Sequence, residues 1–326
     1  MRTITLGPLD NVSRLTLGGG GLGQLWGETT NEEAIATVHA AVEAGVTLID
    51  TAPMYRHCEA VIGEAFAGKP PAHLRFTTKC QLGTPPAGTV AERLEASLDA
   101  SLAAMRLDHA DIFFLHSNIC EDDYRYARYD HRRDRFATTW SLYVNEVIPA
   151  FEDLKARGRI RAWGVTGVGI PETIIRALNH AHRPAVVQAV ANLLDSPGDM
   201  RNYDEPAWPR DIIAAAVAAG VGVMGIRAVQ AGALTTAVDR DLPAAGADAA
   251  DYVRSAPYRA LCAELGVDPA VMAHRYALDI AGVDTVILGV KNRAELTQCV
   301  EVEAMGPLST DVLARIDGLG LRLDGL

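Results

Sequence analysis

Asp50 closes a short run of strand formers, Val46, Leu48 and Ile49, and Tyr55 follows five residues later on a loop broken by Pro53. Two later strand-like runs end in the same way: residues 75–78 lead to Lys79, and residues 112–115 lead to His116. In parallel α/β proteins the C-terminal ends of the strands are the edge where chemistry collects. A carboxylate, a phenol, an ammonium and an imidazole on that edge form a set suited to moving protons. A phenol titrates near ~10 and is a reluctant acid–base group in neutral water; a nearby ammonium lowers that value, at about 1.36 kcal/mol per unit. Taken singly, these residues read as readily as a loop cap, a rim aromatic, a solvated lysine or a satisfied histidine. Their joint placement at strand ends is what points to a catalytic site.

The order D-T-A-x-x-Y over residues 50–55, then E-x-x-I-G over 59–63, resembles the signature of the aldo-keto reductases. Lys79 in FTTK and His116 in IFFLH complete that family's tetrad, and the resemblance extends over nearly the whole chain. It implies an NAD(P)-dependent alcohol dehydrogenase type of enzyme, transferring a hydride between a nicotinamide and an aldehyde, ketone or sugar. It implies Tyr55 as general acid for reduction and base for oxidation, with Lys79 as the cation beside it. Asp50 would hold Lys79, and His116 would hydrogen-bond the carbonyl oxygen. Arg56 in place of a glycine and Cys58 in place of a serine are expected near the pocket rim, and Trp26, Met54 and Trp140 in the substrate pocket.

For the cofactor, the resemblance implies Thr166 and Gln188 at the carboxamide, Ile226 where the family usually stacks an aromatic ring, and Arg227 after it. Gly289, Lys291, Arg293 and Gln298 belong to the eighth-strand loop and its helix, whose N-terminal amides suit a phosphate. There Gly289 and Val290 stand at the family's lysine and serine, and Glu295 at its arginine. Lys291 and Arg293 either compensate for those changes or merely decorate a helix start. NADP(H) is favoured, with NAD(H) as the alternative. The rival functions are a cofactor-sensing, weakly active subunit and a barrel isomerase or lyase without nicotinamide.

Bulk properties are compatible with this. The 326 residues are 49% hydrophobic and carry a net charge of −11, which argues against a nucleic-acid partner. No apolar run is long enough to span a bilayer, and the first residues lack the apolar centre of a signal peptide. Five cysteines, scattered and without C-x-x-C spacing, indicate neither a disulfide framework nor a metal site. A cytoplasmic protein acting on a small molecule is expected.

The elements that must position the four residues follow from periodicity. Residues 3–6 and 12–17 read as a hairpin, which the family resemblance implies caps the bottom of the barrel. The glycine-rich stretch 18–23 reads as a flexible loop rather than a dinucleotide fingerprint, because G-x-G-x-x-G fits only loosely. Thr30-x-x-Glu33 and Thr89-x-x-Glu92 read as capping boxes opening helices. Residues 117–140 lack apolar periodicity and read either as a functional loop or as a solvated excursion. Residues 142–158 are predicted helical, and residues 227–255 form a long connection. Eight strand–helix units counted from Leu15, with no linker between them, predict one domain over 1–326. The predicted fold is α/β, a (β/α)8 TIM barrel with an N-terminal β-hairpin cap and long loops at the C-terminal face.

Overall fold

Eight short runs of strand formers, each followed by helix, close on themselves as a parallel barrel, the architecture predicted from their alternation. The computed structural model describes residues 1–238 and 240–322. The barrel strands are β1 (Leu15–Gly18), β2 (Leu48–Asp50), β3 (Arg75–Cys80), β4 (Ala110–Leu115), β5 (Ile160–Gly167), β6 (Val186–Val190), β7 (Gly222–Ile226) and β8 (Thr285–Leu288). They pair in that order, and β8 returns to β1 with Leu288 opposite Leu17.

Side chains alternate in and out along a strand, and that period positions the site. Leu48, Ile112, Phe114, Ala162, Val186 and Met224 pack in the barrel interior with Leu6, Leu9 and Val12. The last three come from the antiparallel pair Thr3–Leu6 and Leu9–Ser13, which plugs the bottom as expected. One further inward step along the strands runs from Leu48 to Asp50, from Phe114 to His116, from Gly164 to Thr166, from Val186 to Gln188 and from Met224 to Ile226. Lys79, in register with Phe114, also faces inward. The apolar inner layer thus continues directly into a polar one. Glycine is required at 164, where a Cβ would come within 2.3 Å of the Phe114 ring.

Several elements differ from the sequence expectation. The run 12–17 is cut at Arg14, so the hairpin's second strand is Leu9–Ser13 and Leu15 starts the barrel. The cut is anchored by the Arg14 guanidinium, which donates to the carbonyls of Leu278, Val283 and Asp284 beneath β8. The stretch 18–23 is not a flexible loop: Gly19–Leu22 is a buried helical turn. A Cβ at Gly21 would lie 2.0 Å from the Val290 carbonyl oxygen, and one at Gly23 would lie 1.7 Å from that of Tyr55. Glycine is therefore used here for close approach between the mouths of β1, β2 and β8. Of the two capping boxes, Thr30 accepts from the Glu33 amide, whereas Thr89 does not cap and donates instead to the Pro86 carbonyl.

Residues 117–140 also depart from the expected irregular loop. Two short strands, Asn118–Cys120 and Ala137–Thr139, pair in parallel, and Cys120, Tyr126 and Ala137 form a small core with Ile170 and Tyr203. Thr138 donates to the Gly83 carbonyl and Tyr124 to Glu205, tying the segment to the loops after β3 and β6. The helix predicted over 142–158 runs from Trp140 to Ala156 through a π turn at Tyr143–Val147. Pro149, which has no amide to donate, follows that turn. The connection 227–255 contains the helix Ala247–Arg254.

Candidate active site

Lys79 is wholly buried, and its Nζ stands 2.6 Å from Asp50 Oδ2 and 2.8 Å from the Thr51 carbonyl. A buried ammonium is tolerable only when paired and hydrogen-bonded, and both conditions are met. The other carboxylate oxygen, Asp50 Oδ1, accepts from Thr77 Oγ1 and from Gln188 Nε2, each at 2.6 Å. Asp50 is therefore fixed by three donors from β3 and β6. Thr77 escaped the sequence reading, although its spacing of two from Lys79 on a strand puts both on the inner face. Glu59, buried beneath, accepts from Thr51 and Thr78 hydroxyls and so braces the backbone whose carbonyl holds Lys79.

Tyr55 sits on the 3-10 turn Pro53–Tyr55 that follows β2. Its ring is 4.6 Å from Lys79 Nζ and 6.2 Å, edge to face, from the His116 ring. The four side chains singled out from the sequence thus converge at the C-terminal mouth of β2, β3 and β4. Arg56, next in the chain, has φ +53°, a conformation favouring the glycine that the resemblance implies there; its guanidinium donates to the Gln24 carbonyl across the rim. Cys58 is not at the rim as expected but fully buried, against Gly19.

Burial alone would strip the proton from Lys79, yet Asp50 and Tyr55 hold its pKa above the ordinary value. Burial pushes the Tyr55 phenol up, and Lys79 pulls against that without reversing it. The expected net lowering of the phenol is thus not seen, because desolvation outweighs the ammonium. Tyr55 is protonated at neutral pH, the state a proton donor needs. Burial, with Lys79 adding to it, pushes His116 down to about 3, and its Nδ1 has no partner. The imidazole is neutral and offers a hydrogen bond rather than a charge.

That neutrality has a measurable consequence. Below the ordinary imidazole value of ~6.5 the unfolded chain takes up a proton that native His116 refuses. Stability contributed this way is present above that value and is lost as pH falls from ~6.5 toward about 3. His116→Gln should flatten the acid slope of the urea midpoint by about one proton. An unchanged slope would mean that His116 charges in the folded protein.

A cavity of about 360 Å³ borders Lys79 and His116 and is walled by Met54, Cys80, Arg93 and Ser97. A larger hollow of about 460 Å³ lies on the outer shell between Pro257, Leu261, Arg315 and Leu319, and it gathers no comparable set of groups. Among the described residues no three histidine, cysteine or acidic side chains cluster as a metal site, and no helix is long and apolar enough to cross a membrane.

Residues 14–320 match the family model described as Aldo/keto reductase family. The chain belongs to this family. Its members are NAD(P)-dependent oxidoreductases acting on carbonyls or sugars. The chain is 25% identical to the L-galactose dehydrogenase of Arabidopsis thaliana over 322 residues, covering 94% of this chain and 90% of that protein. Among solved structures it resembles a glycerol dehydrogenase from Gluconobacter oxydans, with TM-score 0.70, 22% identity and coverage of 97% and 94%. It also resembles an aldo/keto reductase from Klebsiella pneumoniae in complex with NADP and acetate, with TM-score 0.68, 20% identity and coverage of 99% and 96%. At these identities the solved structures speak for the fold.

In this aldo-keto reductase the residues expected at the nicotinamide dinucleotide lie on β5 to β8 and the segments that follow them. Thr166 and Gln188 face each other across β5 and β6, so two polar side chains stand together in the inner layer. Thr166 donates to the Leu115 carbonyl. Ile226 is half-buried at the end of β7. Arg227 is turned away from the mouth: its guanidinium is buried against Asp248 and Gln230, so its charge is spent within the connection 227–255. Gly289 lies under Trp26, and a Cβ there would be 3.6 Å from the indole. Trp26 in turn stacks with Arg240 at 5.3 Å. Lys291 pairs with Glu295 at 3.2 Å, and Arg293 holds Glu33 through its backbone amide and both sides of its guanidinium. Gln298 is half-buried in the following turn.

Met54, half exposed, lines the cavity beside His116. Trp140 does not join it, contrary to the sequence expectation. Its ring lies 3.7 Å from the Arg176 guanidinium and packs against Tyr143 and against His180 just beyond the helix Pro171–Leu178. The reason is the parallel strand pair before it, which ends the segment 117–140 over the helical shell.

Proposed function

We propose that this protein is an NAD(P)-dependent carbonyl or sugar oxidoreductase in which Tyr55 is the general acid for reduction and the general base for oxidation. The observation that carries this reading is Lys79 Nζ, held by Asp50 on one side and lying against the Tyr55 ring on the other. When bound, the nicotinamide supplies or accepts the hydride. Tyr55 gives its proton to the carbonyl oxygen as charge develops there, and Lys79 stabilises the phenolate left behind. His116, neutral, hydrogen-bonds the same oxygen and orients it. Asp50 keeps Lys79 charged and in place, and Thr77 and Gln188 keep Asp50 in place. Gln188 and Thr166 would also hold the carboxamide. Relatives that are sugar dehydrogenases support the substrate class, since L-galactose dehydrogenase aligns over almost the full length. A panel of aldehydes, ketones and aldoses with both cofactors in both directions tests the reading; no turnover anywhere would overturn it.

NADP(H) is the favoured cofactor, with Lys291 and Arg293 at its adenosine phosphate. A charge-assisted hydrogen bond to phosphate is worth about 1.5–3 kcal/mol, whereas exposed ion pairs such as that of Arg293 with Glu33 are worth about 0–1. A phosphate would therefore displace the carboxylates. Lys291→Ala with Arg293→Ala is expected to weaken NADPH binding at least about tenfold, and NADH binding little. Glu33→Ala, which releases Arg293 and its amide, should tighten NADPH. Titration of cofactor fluorescence reads both, and equal losses for the two cofactors would count against this assignment.

A further inference from the structure

We propose that the cavity beside His116 and Lys79 is a subsite for an oxyanion, a carboxylate or phosphate, at the far end of the carbonyl substrate, with Arg93 as its counter-ion. The proposal rests on the oxidoreductase reading above. The cavity is continuous from the wall formed by His116 and Lys79, across Met54 and Cys80, to Arg93 and Ser97 on the helix Val90–Met105. A substrate whose carbonyl oxygen meets His116 can therefore extend directly toward Arg93.

Charge singles out this wall. The chain carries 41 acidic residues against 30 lysines and arginines, yet among the described residues the cavity is lined by two cations and no carboxylate. Lys79 is neutralised by Asp50. Arg93 makes no ion pair among the described residues. Its helix neighbour Glu95 is drawn off by Arg157, at 2.7 Å. Arg93, exposed on the helix Val90–Met105, lines the cavity with Ser97, and against the burial that pushes the Cys80 thiol up its charge pulls that thiol down. Burial keeps Cys80 a neutral thiol, so the wall between Arg93 and His116 adds no competing anion. In a protein of net charge −11 a locally cationic cavity focuses anions that the rest of the surface repels. Binding the remote, non-reacting end of a substrate is also a means of positioning its carbonyl.

The test compares matched substrates: succinic semialdehyde with butanal, and glyceraldehyde 3-phosphate with glyceraldehyde. The parent enzyme should prefer the anionic member of at least one pair, and the preference should shrink as salt rises. Which pair shows it tells carboxylate from phosphate. Arg93→Gln should lower kcat/KM for the anion at least about tenfold, chiefly through KM, and leave the neutral partner within about twofold. Arg93→Lys should retain much of the preference. Independently of turnover, succinate should raise the parent's Tm, succinamide should not, and Arg93→Gln should abolish the difference. Equal effects of Arg93→Gln on both members of each pair, or no preference in the parent, would overturn the subsite. A protein inactive on every carbonyl and sugar but showing the Arg93-dependent succinate shift would sink the oxidoreductase reading and leave the anion subsite standing.

Discussion

Tyr55→Phe is expected to abolish nearly all turnover while leaving cofactor affinity within about twofold of the parent. Positioned proton transfer contributes on the order of 10²–10⁴-fold, and among the described residues no other phenol ring is brought against Lys79. The substitution is gentle structurally. The ring keeps its edge contact with His116 at 6.2 Å and its place 4.6 Å from Lys79 Nζ, where a cation still interacts with a phenyl face. One hydrogen-bonding group is lost, a cost of about 0.5–1.5 kcal/mol. A single-turnover measurement with saturating cofactor separates chemistry from binding. Turnover within about tenfold of the parent, a barrier change of only about 1.4 kcal/mol, would remove Tyr55 from the role of proton donor.

Asp50, Lys79 and His116 could be found from the sequence because they close strand-like runs, and Tyr55 because it follows Asp50 by five residues on the next loop; a strand's period of two then fixes which way the strand residues face. Once Leu48 faces inward so does Asp50, and once Phe114 does so does His116. Register between neighbours then brings Asp50 beside Thr77 and Gln188 beside Thr166. What was illegible depends on partners far away in the chain. Arg293 is held by Glu33, 260 positions earlier, and Arg227 by Asp248 on a helix hidden in an alanine-rich stretch. Trp140 was expected at the pocket because it ends a loop that begins at the barrel mouth. The pairing of Asn118–Cys120 with Ala137–Thr139, too short to leave a periodic signal, carries it elsewhere. The glycine run was misread for a different reason. Composition reports freedom of the chain, whereas here the glycines answer to lack of space against the Val290 and Tyr55 carbonyls. The direction of the Tyr55 shift needed burial to be known, since the sequence names the cation but not the desolvation that outweighs it.

The largest stability effect is expected from breaking the pair of Asp50 and Lys79 on one side only. Both groups are almost fully buried, at 1% and 0% exposure, so neither can recover its solvation by a small movement. Asp50→Ala leaves an ammonium with one carbonyl partner, Thr51, and should cost about 3–5 kcal/mol, the usual penalty for an uncompensated buried charge. Replacing both groups, as Asp50→Leu with Lys79→Met, removes the charges together and should recover a large part of that loss. It should recover none of the activity, because the phenol of Tyr55 would have no cation beside it. The sign of the pH dependence follows from Lys79. Its folded pKa is raised above the ordinary value, so the pair's stabilisation is fully present below ~10.4 and is lost as pH rises through the folded value. In Asp50→Ala burial depresses the same lysine, and deprotonation relieves the strain of the lone charge. The gap in urea midpoint between the parent and Asp50→Ala should therefore be widest near neutrality and narrow toward pH ~10. A single variant as stable as the parent at neutral pH, or a double variant less stable than the single one, would show that the pair does not hold the barrel mouth in this way.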